Sequence, residues 1–528
     1  MLFIYPPASR SSEPPLGIAR LAGLLRSRGL RAGCLDLCQE GLDYLLALPE
    51  PSSGAELSAW ERGALRRRGR NLELLRGGGA FGSIDRYRRV VLDLNRAFKT
   101  LSAPAGVQAS LADYRDGGLS PLRREDLLEA AARFEENLFY PLFSRRIEEE
   151  IERLRPAALG LSLSFLSQAL CGFAIAGYLK EAHPELPLML GGSLVGSWAA
   201  QGVLPPGESF GGLVDAILPG RGEAPLLARL GELGSLAAEG PSRPGASLLR
   251  LNRVPSAAPD FSDLAHLSYL APVAVAPYNF SWGCPWRRCR FCPETAERSA
   301  YAALSADEAM RELGELVARA EPGLLHFCDN EIAPLYLRSL AASPPGPRWY
   351  GFARFGPLLA EPGFCAALAA SGCALLQLGL ESGDQAVLDA MGKGTRLEEI
   401  DLALENLAEA GIAAYLYLLF GTPSEGRDAA LRTRDFVASR ADRIGFLNVA
   451  VFNLPARSED AARLETRPFY EGELGLYRDF RHPLGWDRTA IRSFLARDFE
   501  SEPAIAAILA RNPPVFTSSH AAFFTPLR

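Results

Sequence analysis

Six apolar segments recurring along the second half of the chain constrain its fold more than any other feature. They are VAVAPYNF (273–280), GLLHFCD (323–329), RWYGFARF (348–355), ALLQLGLES (374–382), AAYLYLLFG (413–421) and GFLNVAVF (445–452). Each of the first five is followed by a helical stretch. Strands separated by helices pair in parallel, because a crossover helix returns the chain to the same end of the sheet. Six such repeats over roughly 180 residues suit a partial (β/α)6 barrel better than an open sheet, although periodicity alone does not separate the two. In such a barrel the chemistry gathers at the carboxyl ends of the strands.

The first half carries a second α/β series. LFIY reads as a buried strand, PPLGIARLAGLLRSRG as an amphipathic helix ending at Gly29, and AGCLDLC as a second strand. Residues 51–150 are rich in Arg, Glu and Leu, are broken by Gly77-Gly78-Gly79 and Pro104, and read as a helical insertion. The alternation resumes with ALGLSLSF, the helix QALCGFAIAGYLKEAHP, LPLMLGG and LVDAILPG. This predicts an α/β chain with a Rossmann-like, doubly wound parallel sheet over 1–245. A Gly-, Pro- and Ser-rich linker is expected at 246–270, the barrel at 271–450, and a small extension capping its mouth at 451–528.

Composition narrows the function classes. The 528 residues are 48% hydrophobic with a net charge of −6, which excludes a disordered chain. No apolar run reaches the ~20 residues a bilayer requires, and MLFIYPP is too short and lacks the basic start of a signal peptide. The mild acidity gives no general attraction for nucleic acid; the run Arg66-Arg67-Arg68-Gly69-Arg70 reads as solvated helix surface. There are 9 cysteines against 5 histidines, and three of the cysteines crowd together. A disulfide framework is therefore not expected, a reducing cytoplasm is, and so few histidines argue against chemistry built on several imidazoles.

The crowded cysteines are Cys284, Cys289 and Cys292, a C-x4-C-x2-C cluster in WGCPWRRCRFCPE where the first barrel strand ends. Three thiolates on one loop suit iron–sulfur chemistry. Zinc usually closes four ligands drawn as two pairs, and no second pair lies nearby in the sequence. This cluster, with the polar strand ends after it, resembles the radical S-adenosylmethionine (SAM) superfamily, whose usual spacing has one residue fewer before the second cysteine. The resemblance implies a [4Fe–4S] cluster on the three cysteines, SAM bound to its open iron, and cleavage of SAM to a 5′-deoxyadenosyl radical. It implies adenine near Phe291 and Gly421, the SAM ammonium near Asp329, Asn330 and Glu331, the SAM carboxylate near Arg354, and ribose hydroxyls at Glu381 and Ser382. An electron donor such as flavodoxin or ferredoxin, and a small-molecule or peptide substrate, follow as partners.

The N-terminal half resembles the cobalamin-binding domain found in one group of these proteins, whose signature is D-x-H-x-x-G, S-x-L and G-G. Asp36, Cys38 and Gly41 match the first element with cysteine in place of histidine. Ser164 and Leu166 match the second, and Gly191-Gly192 the third. Two readings stay open: a corrinoid-binding domain, implying methyl transfer to a carbon, or a retained fold without the cofactor, implying a radical cyclisation, oxidation or rearrangement. Cys38 could ligate cobalt, leave it without a side-chain ligand, or pack as a small hydrophobe. A non-catalytic iron–sulfur sensor is the rival outside enzymes. No G-x-G-x-x-G opens the first helix, which argues against a nicotinamide site. Cys34 and Cys38 stand alone, which argues against methylthio transfer to tRNA. No catalytic residue is singled out. Lys393, one of three lysines, could meet a carboxylate or phosphate, and Cys328 draws attention because it ends a barrel strand. Tyr415 and Tyr417 share a strand face, and with His482 and His520 they read first as packing residues.

Overall fold

The computed structural model describes residues 1–51, 57–204, 207–232, 255–514 and 520–524. Strands β1 (Leu2–Tyr5), β2 (Gly33–Asp36), β3 (Leu159–Ser162), β4 (Leu188–Gly191) and β5 (Ala216–Leu218) form a parallel sheet in the order β2-β1-β3-β4-β5. The strand order reverses between β1 and β3. In open α/β sheets, ligands bind in the crevice beyond the strand ends at such a switch point.

AGCLDLC does not continue as a strand. A helix runs over Leu37–Ala47, and its start is set by Asp36, whose carboxylate accepts the Cys38 and Gln39 N–H groups. Capping overrides the apolar alternation that Leu35, Leu37 and Cys38 suggest. Cys38 therefore lies in a first helical turn. The insertion is largely helical, with long helices at Ala59–Arg76 and Ile84–Ser102, and also holds an antiparallel hairpin of Val107–Ala109 with Tyr114–Asp116.

The barrel strands are β6 (Val275–Tyr278), β7 (Leu324–Phe327), β8 (Arg348–Ala353), β9 (Cys373–Glu381), β10 (Ala413–Phe420) and β11 (Phe446–Val451). They pair in parallel in chain order, and β6 does not pair with β11, so the barrel is partial. Alternate residues divide between two cores. Leu325, Phe327, Leu376, Leu378, Leu416 and Leu418 pack outward against helices, whereas Leu324, Tyr350, Leu375, Tyr415 and Phe446 pack together on the inner face. The inner group is closed by the C-terminal tail: Ala521 joins it, and His520 stacks on Tyr415 at 4.9 Å.

Of the expected linker, residues 246–254 lie outside the described residues. Residues 257–264 pack on the first helix, Leu16–Arg26: Asp260 N–H donates to Ala19 O, and Asp263 accepts the Cys34 N–H at 2.9 Å. Gly23 makes room for this segment, since a Cβ there would lie 2.3 Å from Ala258 O. The extension adds a three-stranded antiparallel sheet (Leu454–Pro455, Thr466–Pro468, Tyr477–Phe480) and helices that bury Ile491, Phe494, Ile505 and Ile508 in the main core.

A buried ion pair joins the halves. Arg20, on the first helix, meets Glu312, on the barrel helix Ala306–Ala320, at 3.4 Å, with the side chains 3% and 2% exposed. Replacing Arg20 with Ala strands a buried carboxylate, and loss of one member of such a pair costs about 3–5 kcal/mol. The double variant Arg20→Met/Glu312→Leu is expected to recover much of that loss in chemical denaturation. Equal stability of the single and double variants would contradict the assignment.

Candidate active site

The cysteine loop begins where β6 ends. Gly283 turns the chain with φ +75°, and a Cβ there would lie 3.0 Å from Ala300 O. Cys284, Cys289 and Cys292 are free and half-buried, and their Sγ atoms do not gather within 4.8 Å of one another. A single tetrahedral zinc would draw its sulfurs to about 3.8 Å apart, closer than all three lie here. Burial raises all three thiols, Cys292 to about 11, partly opposed by the Glu294 and Thr295 N–H groups.

The turn Met391–Gly394 holds the loop. Arg290 N–H donates to Met391 O and the Trp286 indole to Gly392 O, both at 2.9 Å. Gly392 has φ +67°, and a Cβ there would lie 2.5 Å from Arg288 O, so the two backbones meet closely. Phe291 packs on the cluster of Val387, Met391 and Ala429, with Lys393 Nζ 5.6 Å from its ring centre. Lys393 Nζ also lies 2.8 Å from Glu381 Oε1, a pairing that answers the question this lysine raised. Glu381 has φ +61° and stands at a register shift between β9 and β10. A non-glycine residue held there stores strain of order 1–3 kcal/mol.

Two further strand ends reach the loop. Arg354 stacks on the Trp286 ring at 4.0 Å, lies beside Cys289, and keeps one buried guanidinium nitrogen without a hydrogen-bond partner. The Cys284 thiol donates to Glu331 at 3.5 Å, and burial raises the Glu331 carboxyl. The structure thus brings Cys284, Cys289, Cys292, Phe291, Glu331, Arg354, Glu381 and Lys393 together.

Other expected site residues have different surroundings. Asp329 is buried and accepts the Phe280 N–H at 3.0 Å, the Ser281 N–H at 2.8 Å and the Ser281 hydroxyl at 2.6 Å. It clamps the strand end that launches the cysteine loop. Asn330 is exposed. Ser382 is buried against the helix Arg427–Ala438, 3.0 Å from Thr433 Oγ1. Gly421 has φ +87° and donates its N–H to Glu425. Neither Trp286 nor Glu425 stood out in the sequence; the only signal for Trp286 is its place inside the cysteine motif.

In the N-terminal domain, Asp36 accepts the Tyr269 hydroxyl at 2.9 Å as well as capping its helix, and burial raises its carboxyl to about 6. The Cys38 thiol is turned inward. It accepts the Ser9 N–H at 3.0 Å and lies 3.3 Å from the Ser9 and Ser11 hydroxyls. Of its three open roles, this is the packed one. Gly41 sits under the Phe139 ring, 3.2 Å from where a Cβ would be. At the switch point, Ser164 N–H donates to Gln168 Oε1 at 2.9 Å, while Phe165 and Leu166 remain exposed. Gly191 ends β4, and Gly192 has φ +104° with a Cβ position only 2.3 Å from Leu163 O.

Residues 278–437 match the family described as the radical SAM superfamily. Among solved structures, the radical SAM methyltransferase TsrM from Kitasatospora setae, with cobalamin and a [4Fe–4S] cluster bound, is 15% identical; the match covers 94% of this chain and 90% of that one, TM-score 0.54. TsrM with tryptophan substrate and a SAM analogue bound gives 14% identity, 96% and 89% coverage and TM-score 0.54. The cobalamin-dependent radical enzyme OxsB gives 15% identity, 72% and 52% coverage and TM-score 0.45, so this chain spans about half of that one. No curated protein matches the chain. The TsrM likeness shows a common fold along nearly the whole chain: an N-terminal sheet domain followed by a radical SAM barrel.

Two measurements test the site's supports. Asp329→Ala leaves three buried donors unpaired, at about 1–3 kcal/mol each, and is expected to lower iron content after anaerobic reconstitution; Asp329→Asn, which keeps one acceptor, should fall between. Burial raises the Glu425 carboxyl to about 7, opposed by the Gly421 N–H. Its folded pKa exceeds the unfolded value of about 4.3, so its stabilising contribution is complete below that value and lost as pH rises through about 7. Glu425→Gln should remove that fall from a series of denaturation midpoints between about pH 5 and pH 8.

Proposed function

Residues 278–437 match the radical SAM superfamily, and from that premise we propose that the chain is a radical SAM enzyme whose N-terminal domain carries a corrinoid for methyl transfer to carbon. The observation that carries the first part is the spread of three free, half-buried thiols beside an arginine nitrogen with no partner. Cys284, Cys289 and Cys292 would hold a [4Fe–4S] cluster, which when bound and reduced supplies the electron for cleaving SAM. Arg354 offers the SAM carboxylate a charged donor. Glu331 offers its ammonium an acceptor, with Asn330 at the same strand end. Glu381, held by Lys393, would offer an oxygen to ribose hydroxyls, and the backbones at Phe291 and Gly421 would line the adenine side. Asp329 and Ser382 act by positioning, one on the cysteine loop and the other on the β9 end.

The corrinoid reading rests on the switch point. Gly191 and Gly192 let the strand end turn tightly against Leu163 and Leu218 beside the half-buried Ser164, and the exposed Phe165 and Leu166 offer an apolar face there. Cys38 does not fit as a cobalt ligand, because its thiol is buried among Ser9 and Ser11. The corrinoid would therefore be held by Asp36, Gly41, Ser164, Leu166, Gly191 and Gly192 as shaping residues, without a sulfur ligand. An electron donor such as flavodoxin or ferredoxin, and a small-molecule or peptide substrate, complete the proposal. Among the described residues no helix is long and apolar enough to cross a membrane; a cytoplasmic setting is part of the same proposal.

Anaerobically reconstituted protein, given dithionite and SAM, is expected to form 5′-deoxyadenosine or a methylated corrinoid, and Cys289→Ala to form neither. Cluster-loaded protein giving neither product sinks the radical reading. Protein incubated with hydroxocobalamin and desalted should retain the corrinoid spectrum, equally in Cys38→Ala. Retention of none would favour a radical rearrangement or oxidation with the N-terminal domain as a platform.

A further inference from the structure

A second set of metal-binding side chains gathers without any of the three loop cysteines. Glu13, His326 and Cys328 each bring one ligand atom within 4.8 Å of the others, and all three are half-buried. His326 Nδ1 is 2.7 and 2.9 Å from the two Glu13 oxygens and 3.5 Å from Cys328 Sγ. The placement follows from strand parity. Leu325 and Phe327 pack outward against helices, whereas Leu324 packs on the inner face, so His326 and Cys328 share that inner face by period two. Glu13 arrives from the segment between β1 and the first helix, so the set straddles the two domains.

The groups are held in place before any ligand arrives. The His326 ring stacks on Tyr350 at 4.4 Å and 10°. Cys328 N–H donates to Tyr278 O at 2.7 Å. We propose that Glu13, His326 and Cys328 form a mononuclear zinc-type divalent metal site inside the barrel, separate from the cysteine loop. A thiolate, an imidazole and a carboxylate together select a borderline metal such as Zn²⁺, while calcium and magnesium prefer oxygen alone. A tetrahedral zinc with Zn–S near 2.3 Å and Zn–N near 2.0 Å sets sulfur and nitrogen about 3.5 Å apart, the spacing already present. The ion replaces the Cys328 thiol proton and the proton between His326 Nδ1 and Glu13, and both protons leave to solvent.

Three protein ligands leave a fourth position, the arrangement of zinc sites that act on a ligand rather than only brace a fold. That position would take water or an oxygen or nitrogen donor of a substrate in the barrel. The site does not depend on the corrinoid reading or on the radical reaction.

The test uses cluster-loaded full-length protein under anaerobic conditions, given one equivalent of ZnCl₂ and desalted. Elemental analysis should find one zinc per chain beside the iron. Zinc K-edge X-ray absorption should show one sulfur near 2.3 Å with nitrogen and oxygen near 2.0 Å. Glu13→Gln and Cys328→Ser should each cut zinc affinity about tenfold or more, with iron content and circular dichroism unchanged. The proposal is overturned if no zinc is retained, if the zinc shell holds two or three sulfurs, or if both variants bind zinc like the parent.

Discussion

The backbone between Asn279 and Ser281 is gripped from two sides by opposite charges, and the site's geometry depends on that grip. Arg20 reaches from the N-terminal domain to donate to Asn279 O at 2.8 Å, while Asp329 accepts the N–H groups of Phe280 and Ser281. A guanidinium this deep is tolerated only because it is paired and bonded. It meets Glu312 and Ser256, and it lies over the Tyr278 and Trp282 rings at 5.0 and 5.3 Å. The strand end that launches Cys284 is thus positioned by the docking of one domain on another. Domain association and the shape of the cysteine loop are one physical problem here.

The same economy of charge governs the far side of the loop. Met391–Gly394 holds the loop through Trp286 and Arg290, and its Lys393 pairs with Glu381 while lying near the Phe291 ring. Gly379 leaves room for that pairing as it stands, since a Cβ there would fall 2.2 Å from Glu381 Oε1 and 2.5 Å from Lys393 Nζ. With φ +61°, Glu381 holds a conformation its own side chain disfavours, which places its carboxylate toward the site instead of along the strand. Lysine suits this position because a compact ammonium fits beside a carboxylate in so small a space, where a planar guanidinium would need room for a fork.

The six barrel strands were legible because parallel strands covered on both faces read as apolar runs, and the cysteine triplet because its spacing is local. Elsewhere the determining interaction lay outside the segment. Leu37 and Cys38 suit a strand until the Asp36 carboxylate turns back to cap a helix. Asp329 and Glu331 look alike as acids at a strand end. One faces backbone donors and the other the Cys284 thiol, a difference set by Ser281 and by the direction of the turn. His326 and Cys328 carried a faint signal, an H-x-C alternation on one strand face, but Glu13 lies more than 300 positions away in sequence and another domain delivers it. The short strands of the extension, two to four residues each, were too brief to stand out from loop.

The fate of Cys38 shows why a broken signature need not mean a lost site. The residues that shape a crevice at a switch point and the residue that would ligate a metal there answer to different constraints. Gly192 is fixed by the approach of Leu163 O, and Ser164 by Gln168, whose amide also donates to Pro6 O across the β1–β3 reversal. None of these contacts involves residue 38. The small Cys38 thiol satisfies its weak polarity inward, with Ser9 and Ser11. The crevice keeps its backbone shape because Asp36 still starts the helix and Gly41 still admits Phe139. The backbone shape of the crevice is therefore independent of the side chain at residue 38.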